Sequence, residues 1–296
     1  MNKTENKQVI FVIGPTAVGK SEFAVSLALE EDGEIVSADS MQVYRGLDLG
    51  TAKPSMEARK GVPHHMLDIA DPREDYSAAA YSRAAQAVIA DIQARGKRPV
   101  VCGGSGLYIH SLLYELDFSG GEGDMALRRE LEKEAEEKGC EYLFSRLLEI
   151  DPAAASYVHP NNVKRVIRAI ERAMGDVENE GIRDFDGTFS GRRRYETRII
   201  RLTADREELY GRIERRAEGF FANGLVNEVR RLLEAGVPRE GTAMQGIGYK
   251  EVASMLDGCY DEEEALRLVK QNTRRYAKRQ ETWFKRYADA ELLLKS

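Results

Sequence analysis

The sequence predicts an α/β fold in which an all-helical segment is inserted into a parallel-sheet core. Three observations predict it. Short apolar runs alternate with stretches of helical period over the first third of the chain, a glycine-containing phosphate loop joins the first run to the first helix, and no strand-like run occurs between about residues 115 and 195. With 296 residues the chain has room for a large domain and a smaller one, since domains run to roughly 100–200 residues.

Taken in order, Val9–Ile13 (VIFVI) is the continuous apolar run of a strand covered on both faces. GPTAVGKS follows, then SEFAVSLALE, where Phe23, Leu27 and the alanines recur at helical spacing: strand, loop, helix. EIVSAD, ending in Asp39, is the second strand. A helix carrying Tyr81, Ala85, Val88 and Ile92 at helical intervals closes at Gly96, RPVVCGG is the third strand, and the character of the chain changes after 107–114. This alternation makes the sheet parallel. FSGGEGD breaks the pattern. Helices are expected over Met125–Lys138, 141–149 and 162–174, the last opened by HPNN, and GTFSGRRRYE reads as a mobile loop carrying Arg192, Arg193 and Arg194. TRIIRLTA at 197–204 resumes the sheet, so the core comprises residues 1–114 and 196–296 and the insertion 115–195. Helices over 207–221, Leu225–Glu234, Tyr249–Leu256 and 262–287 complete the core, with AELLLK as a last strand.

Composition excludes several classes. No run of ~18 apolar residues is present, and the opening MNKTENK lacks the apolar stretch of a signal peptide, so a cytoplasmic protein without a membrane partner is expected. Cys102, Cys140 and Cys259 lie far apart with no C-x-x-C, which makes them reduced, mostly buried thiols rather than a disulfide framework or zinc ribbon. His64 and His65 are adjacent and point different ways on any regular element, so a metal site there is the minority reading.

A net charge of −6 argues against a general nucleic-acid binder, but the charge is unevenly spread. Lys270, Arg274, Arg275, Lys278, Arg279, Lys285 and Arg286 face a single acid, Glu281, while acids crowd 130–141 and 261–264. An acidic protein with one basic face can steer a polyanion to one place. Tyr276, Trp283 and Phe284 lie among these bases, a composition suited to phosphate contact with aromatic stacking and equally to a core-facing stripe beneath a solvated face.

The loop itself carries the chemistry. Gly14, Pro15, Thr16, Ala17, Val18, Gly19, Lys20 and Ser21 match G-x-x-x-x-G-K-[ST], in which backbone N–H groups turn toward an anion, the lysine adds a point charge and Ser21 offers a hydroxyl to magnesium. Most such loops hold a nucleotide's phosphates. An ATPase normally places an acid at the end of another strand to help hold the metal, whereas VVCGGSG ends in glycines and Ser105. The carboxylate at a strand end is Asp39, either a base that accepts a proton or a turn former and helix cap. Ligands of a parallel sheet sit beyond the carboxyl ends of its strands, so the loop, Asp39 and Gly103, Gly104 and Ser105 share one crevice. A diphosphate, a base and a small hydroxyl converging there suit group transfer from a diphosphate.

Several stretches together resemble one family. GPTAVGKS, SADSMQVYRGLDLGTAKP, HHMLDI, YSAAAY, PVVCGGSGLY, HPNNVKRVIRAIE, QGIGYKE and KRQETWFKR occur in the order found in the tRNA dimethylallyltransferases (tRNA isopentenyltransferases) and span nearly the whole chain. The resemblance implies a P-loop NTPase-like core and transfer of a prenyl group from dimethylallyl diphosphate to the exocyclic amine of the adenosine just 3′ of the anticodon in tRNA. It implies that the residues from Gly14 to Ser21 hold the donor's diphosphate with magnesium on Ser21, that Asp39 is the base and that Ser105 hydrogen-bonds near the reacting base. It also implies that Arg216, or its neighbour Arg215, contacts the diphosphate. tRNA contact is implied for Asp39, Ser40, Met41 and Gln42, for Lys164, Arg165, Val166, Ile167 and Arg168, and for Gln245, Gly246, Ile247, Gly248, Tyr249 and Lys250. It is favoured for Arg275, Lys278 and Arg279 on the basic helix. The chain lacks the C-terminal zinc-finger extension of some eukaryotic members, which implies the short, bacterial-type form, and a monomer is expected. The rival readings are a small-molecule kinase using ATP with Asp39 as base, a non-catalytic RNA-binding protein, and an isopentenyltransferase acting on free adenosine phosphates.

Overall fold

The computed structural model describes residues 8–114, 125–174 and 192–295. Its strands are β1 (Val9–Ile13), β2 (Gly33–Ala38), β3 (His64–His65), β4 (Arg98–Gly103), β5 (Thr197–Thr203) and β6 (Glu291–Leu294). They form one six-stranded sheet in the order β3-β2-β4-β1-β5-β6, and every pairing is parallel. The helices are α1 (Lys20–Glu30), α2 (Ala78–Ala94), α3 (Gly106–Leu113), α4 (Met125–Lys138), α5 (Cys140–Ile150), α6 (Pro152–Ala155), α7 (Val163–Met174), α8 (Arg206–Ala222), α9 (Leu225–Glu234), α10 (Tyr249–Leu256) and α11 (Glu262–Phe284).

The apolar runs are continuous because both faces of the sheet are covered. Ile10 and Val12 of β1, Ile35 of β2, Val100 and Cys102 of β4 and Ile200 and Leu202 of β5 share one core cluster with Ala24, Val25 and Ala28 of α1 and Leu209 and Ile213 of α8. The alternate residues Phe11, Ile13, Val36 and Val101, also buried, turn to the other face. Tyr81, Ala85, Ile89 and Ile92 form the buried stripe of α2. Several helices start where a side chain accepts the first free N–H groups: Ser77 from Ala80 at 3.1 Å, Asp205 from Glu207 at 2.8 Å, and Asp261 from Glu264 at 2.9 Å.

The chain divides into two compact units, Met1–Tyr114 with Arg192–Ser296, and Glu115–Gly191. Within the second, Leu131, Leu143, Leu147, Val166, Ile167, Ala169 and Ile170 form a core of their own among α4, α5 and α7, and Arg128 makes a two-pronged ion pair with Glu171.

The structure departs from the sequence reading at several points. The two-residue edge strand β3, the short α6 and a 3-10 turn at Thr242–Gln245 are additional, because elements this short carry too few residues to display a period. His65 Nε2 lies 2.7 Å from Glu34 and His64 Nδ1 2.9 Å from the Val62 carbonyl, so each ring already has a protein partner. Cys102 is buried, but Cys140 is only partly so and Cys259 is exposed. The segment read as a mobile loop is tied down at its described end. Arg193 bridges Tyr114 in antiparallel fashion, its guanidinium pairs with Asp289 at 2.6 Å, and the Arg194 amide donates to the Leu113 carbonyl at 2.9 Å. FSGGEGD, the opening MNKTENK and the earlier part of GTFSGRRRYE lie outside the described residues. No helix among the described residues is long and apolar enough to cross a membrane.

Candidate active site

β1 ends at Ile13 and α1 begins at Lys20, so the glycine loop spans the carboxyl edge of the sheet. Gly14 has φ +148°, and a Cβ there would stand 2.5 Å from the Leu202 carbonyl oxygen of β5; a side chain cannot be accommodated where the chain leaves the strand. Ala17 adopts φ +65° and Gly19 φ +90°. Such left-handed steps turn successive N–H groups toward one concavity, and the amides of Ala17, Val18 and Gly19 donate to no other described residue. Together with the unpaired N–H groups of the first turn of α1 they form an anion site.

Two cations flank this concavity. Lys20 Nζ donates to the Pro15 carbonyl at 2.7 Å. Burial brings its pKa from 10.5 down to about 8, with Cys102 and Asp39 pulling it up and Arg216 pushing it down. Arg216, on α8, reaches the loop with Nη1 at 3.5 Å from Thr16 Oγ1, whereas Arg215 is exposed. Of the adjacent arginines, Arg216 is therefore the one at the loop. Its pKa is lowered by burial, and the charge of Asp39 opposes that shift.

Asp39 follows β2. Oδ1 accepts from the Met41 amide at 2.9 Å and the Gln42 amide at 3.4 Å, so the turn-forming reading is realised. Neither bond uses Oδ2, which accepts no hydrogen bond from another described residue. Both readings of Asp39 are thus compatible, one for each oxygen. Ser105 stands immediately before α3 without bonding the free amides of that helix; its hydroxyl accepts from the Ser40 amide at 2.8 Å and donates to Ser40 Oγ at 3.1 Å. It fixes the turn beside Asp39 to the end of β4.

Residues outside the predicted set complete the frame. Gln280 of α11 is 5% exposed, accepts from the Thr16 amide at 2.8 Å and donates to the Gly104 carbonyl at 2.9 Å. Tyr276, one turn earlier, lies with its hydroxyl 3.4 Å from the same carbonyl, and burial followed by the charge of Asp39 raises its pKa. Glu228 of α9 is buried and accepts from the amides of Asp48 at 3.1 Å and Leu49 at 2.9 Å, and from the Tyr249 hydroxyl at 2.5 Å. Lys53 pairs with Asp48 and Asp68, both at 2.6 Å, and donates to the Tyr44 carbonyl at 3.0 Å. The sequence did contain a signal for Gln280 and Glu228. Each lies on the apolar stripe of its helix, with Ala277 and Phe284 or with Leu225, Val229 and Leu232, and a polar group at a core position demands partners.

The expected RNA contacts sort by exposure. Lys164, Arg165 and Arg168 are exposed on α7, as are Gln245, Lys250, Arg275, Lys278 and Arg279 on the other unit. Val166 and Ile167, by contrast, belong to the α7 core, and Tyr249 is fully buried against Glu228. Gly246 and Gly248 are buried as well, and Ile247 partly. The side chains of Val166, Ile167 and Tyr249 are withdrawn from the RNA-binding set, because a contiguous motif on a helix necessarily includes residues of the inner face. Gln42 is tied to Ser37 at 3.1 Å and to the Thr51 carbonyl at 3.1 Å. On α11, Lys270 and Arg274 are engaged by Glu218 at 2.5 Å and Glu214 at 2.6 Å of α8.

The donor set suits a magnesium ion. Ser21 is exposed in the first turn of α1, and no group of three or more His, Cys, Asp or Glu residues gathers anywhere among the described residues. A single hydroxyl is too small for an all-protein cage, but it fits a hard cation that draws its other ligands from water and substrate phosphate.

A phosphate loop, partly buried cations and a strand-end carboxylate at the carboxyl edge of a parallel sheet define a phosphate-handling α/β protein of the P-loop NTPase-like class. The family described as IPP transferase matches residues 42–287, and the chain belongs to it. The tRNA dimethylallyltransferase of Alkaliphilus oremlandii is 47% identical over 281 residues, covering 95% of this chain and 89% of that protein. That of Geobacter metallireducens is 47% identical over 299 residues, covering 99% and 94%. Among solved structures, the tRNA isopentenylpyrophosphate transferase of Bacillus halodurans superposes with a TM-score of 0.72 at 40% identity, covering 97% of this chain and 89% of that one. A eukaryotic dimethylallyltransferase acting on tRNA gives a TM-score of 0.81 at 28% identity, covering 97% and 74%.

Proposed function

We propose that the protein is a tRNA dimethylallyltransferase, transferring the dimethylallyl group from dimethylallyl diphosphate to the exocyclic amine of the adenosine 3′ of the anticodon and releasing diphosphate. The observation that carries this reading is the convergence of an open anion-binding loop with the unengaged oxygen of Asp39 at one edge of the sheet. Adenine's exocyclic amine is a weak nucleophile because its lone pair is delocalised into the ring. In this reading the amine nitrogen attacks C1 of the donor, the C1–O bond breaks toward diphosphate, and the proton leaving nitrogen passes to Asp39 Oδ2. The loop amides, Lys20 and Arg216 hold the charge that develops on the leaving group. Ser21 is the residue that would hold magnesium, which when bound supplies further positive charge to the diphosphate. Ser105 keeps the Asp39 turn in place through Ser40.

On the acceptor side, a base must leave its stack to enter the crevice. Ser40 and Met41 adjoin the carboxylate. The exposed bases Lys164, Arg165 and Arg168, together with Gln245, Lys250, Arg275, Lys278 and Arg279, supply phosphate contacts, as expected of a protein whose overall charge is negative but whose cations are concentrated. We take it to act as a monomer in the cytoplasm.

The test is a transfer assay. Purified protein, magnesium and labelled dimethylallyl diphosphate are incubated with an anticodon stem-loop carrying adenosine 3′ of the anticodon, and with the same RNA carrying guanosine there. Label is expected in the adenosine RNA alone. Label in neither, from folded protein, returns the loop to ATP and a kinase reaction; label on free adenosine phosphates in preference to RNA reassigns the acceptor.

A further inference from the structure

Among the described residues, Thr16 is gripped from two helices: its amide by Gln280 of α11 at 2.8 Å and its hydroxyl by Arg216 of α8 at 3.5 Å. The grip from α11 is the more closely fitted. The Gln280 amide is oriented by its two bonds, since Oε1 can only accept from the Thr16 N–H and Nε2 can only donate to the Gly104 carbonyl, at 2.9 Å. It occupies a notch that exists because residue 104 has no side chain. A Cβ on Gly104 would lie 2.2 Å from Gln280 Nε2, and the next atom outside Gln280, the Gly14 carbonyl oxygen, is 3.8 Å away. One buried amide thus bolts the first turn of the phosphate loop to the turn after β4.

We infer that Gln280 is a positioning residue for the donor's diphosphate, holding the loop so that the amides of Ala17, Val18 and Gly19 are set before the anion arrives. The inference rests on the reading of this loop as the diphosphate site. Because Thr16 spends its own amide on Gln280, the next three amides are the ones left open. A loop fixed in its binding shape avoids the ordering cost that a slack one incurs on binding. The same helix leaves Arg275, Lys278 and Arg279 exposed while Gln280 is buried, so the Gln280 side chain serves the donor without itself being part of the exposed basic surface.

The experiment measures binding of inorganic diphosphate with magnesium by calorimetry, alongside stem-loop affinity and thermal midpoint, for the wild type and four variants. Gln280→Met keeps the volume of the side chain and removes both bonds. It is expected to weaken diphosphate binding about tenfold while leaving RNA affinity within about twofold. Gly104→Ala is expected to do the same with Gln280 intact, because its methyl displaces the amide. In the Gln280→Ala background the obstruction is gone, so adding Gly104→Ala is expected to cost nothing more, a non-additivity that general destabilisation does not produce. Wild-type diphosphate binding in Gln280→Met and Gly104→Ala overturns the inference and leaves the diphosphate site standing. So does a loss that is equal for diphosphate and RNA and follows the thermal midpoint. Failure of the wild type itself to bind diphosphate overturns the diphosphate site and the inference together.

Discussion

The phosphate loop and the segment 39–53 both bear on one edge of the sheet, yet they are held in opposite ways. The loop is shaped by its backbone, with φ +148° at Gly14 and +65° at Ala17, and among the described residues its side-chain hydrogen bonds from outside the loop are two, both at Thr16. The segment 39–53 is laced by side chains: Asp39 onto its own turn, Gln42 onto Thr51, Lys53 onto Asp48 and Asp68, and Glu228 from α9 onto Asp48 and Leu49. The difference follows from what each must present. An anion is bound by amides, which need open space and little side-chain mass; a single carboxylate must be aimed, which needs the chain around it made rigid.

The largest effect that tests this contrast is at Asp39. Asp39→Ala removes both oxygens and is expected to lower kcat about 10³-fold, within the usual range for loss of a general base, with RNA affinity changed by no more than a few-fold. Asp39→Asn sharpens the comparison. An asparagine oxygen can still accept from the Met41 and Gln42 amides and so keep the turn, but it cannot take the proton. Single-turnover kinetics of Asp39→Asn should therefore resemble Asp39→Ala; normal turnover would leave Asp39 a turn former only.

The two regions were also unequally legible in the sequence. The loop stands out in eight consecutive residues because its requirements are local, and the strands on either side follow from apolar runs that both sheet faces bury. The long motif around Asp39 was recognisable as specific, but the reason for its specificity was not visible. Its partners are remote: Glu228 bonds to Leu49 across 179 positions, and a helix such as LVNEVRRLLE shows one of its two acids on the apolar stripe without saying what it meets. The same holds for Gln280, whose neighbours in sequence suggested RNA and whose side chain turns inward to Thr16. The withdrawal of Val166, Ile167 and Tyr249 has the complementary cause, since a motif read as a string mixes the two faces of a helix.

A middle-sized effect is expected at Glu228. Glu228→Gln retains one carbonyl oxygen but replaces the other acceptor with a donor, against a backbone that offers N–H groups from Asp48 and Leu49 and a hydroxyl from Tyr249. Leaving a buried donor without an acceptor costs about 1–3 kcal/mol, so chemical denaturation should report a loss of about 2 kcal/mol. Through slackening of 39–53, kcat should fall roughly tenfold, a loss of about 1.4 kcal/mol in transition-state stabilisation, with affinity for diphosphate unchanged. If diphosphate affinity falls as well, the two regions are not independently held, and the contrast between them fails.

The smallest effect is a pH dependence that belongs to the loop alone. Burial sets the pKa of Lys20 at about 8 in the folded protein against a usual 10.5, and the Cys102 thiol beside it, pushed up to about 11 by burial, stays neutral through the lower part of that window. Below pH 8 the lysine is already cationic and diphosphate affinity should be level as far as this group is concerned. Above it, binding must draw a proton onto Lys20, so affinity should fall by up to roughly tenfold per pH unit. The stability term runs the other way. Between about 8 and 10.5 the unfolded chain holds more protons at this lysine than the folded one, so its contribution to stability rises with pH. Loss of diphosphate binding from pH 8 to 9 without loss of stability is the expected signature, read by calorimetry beside thermal melts. Lys20→Met should abolish the slope together with most of the affinity. A slope that survives in Lys20→Met would move the titrating group away from the loop.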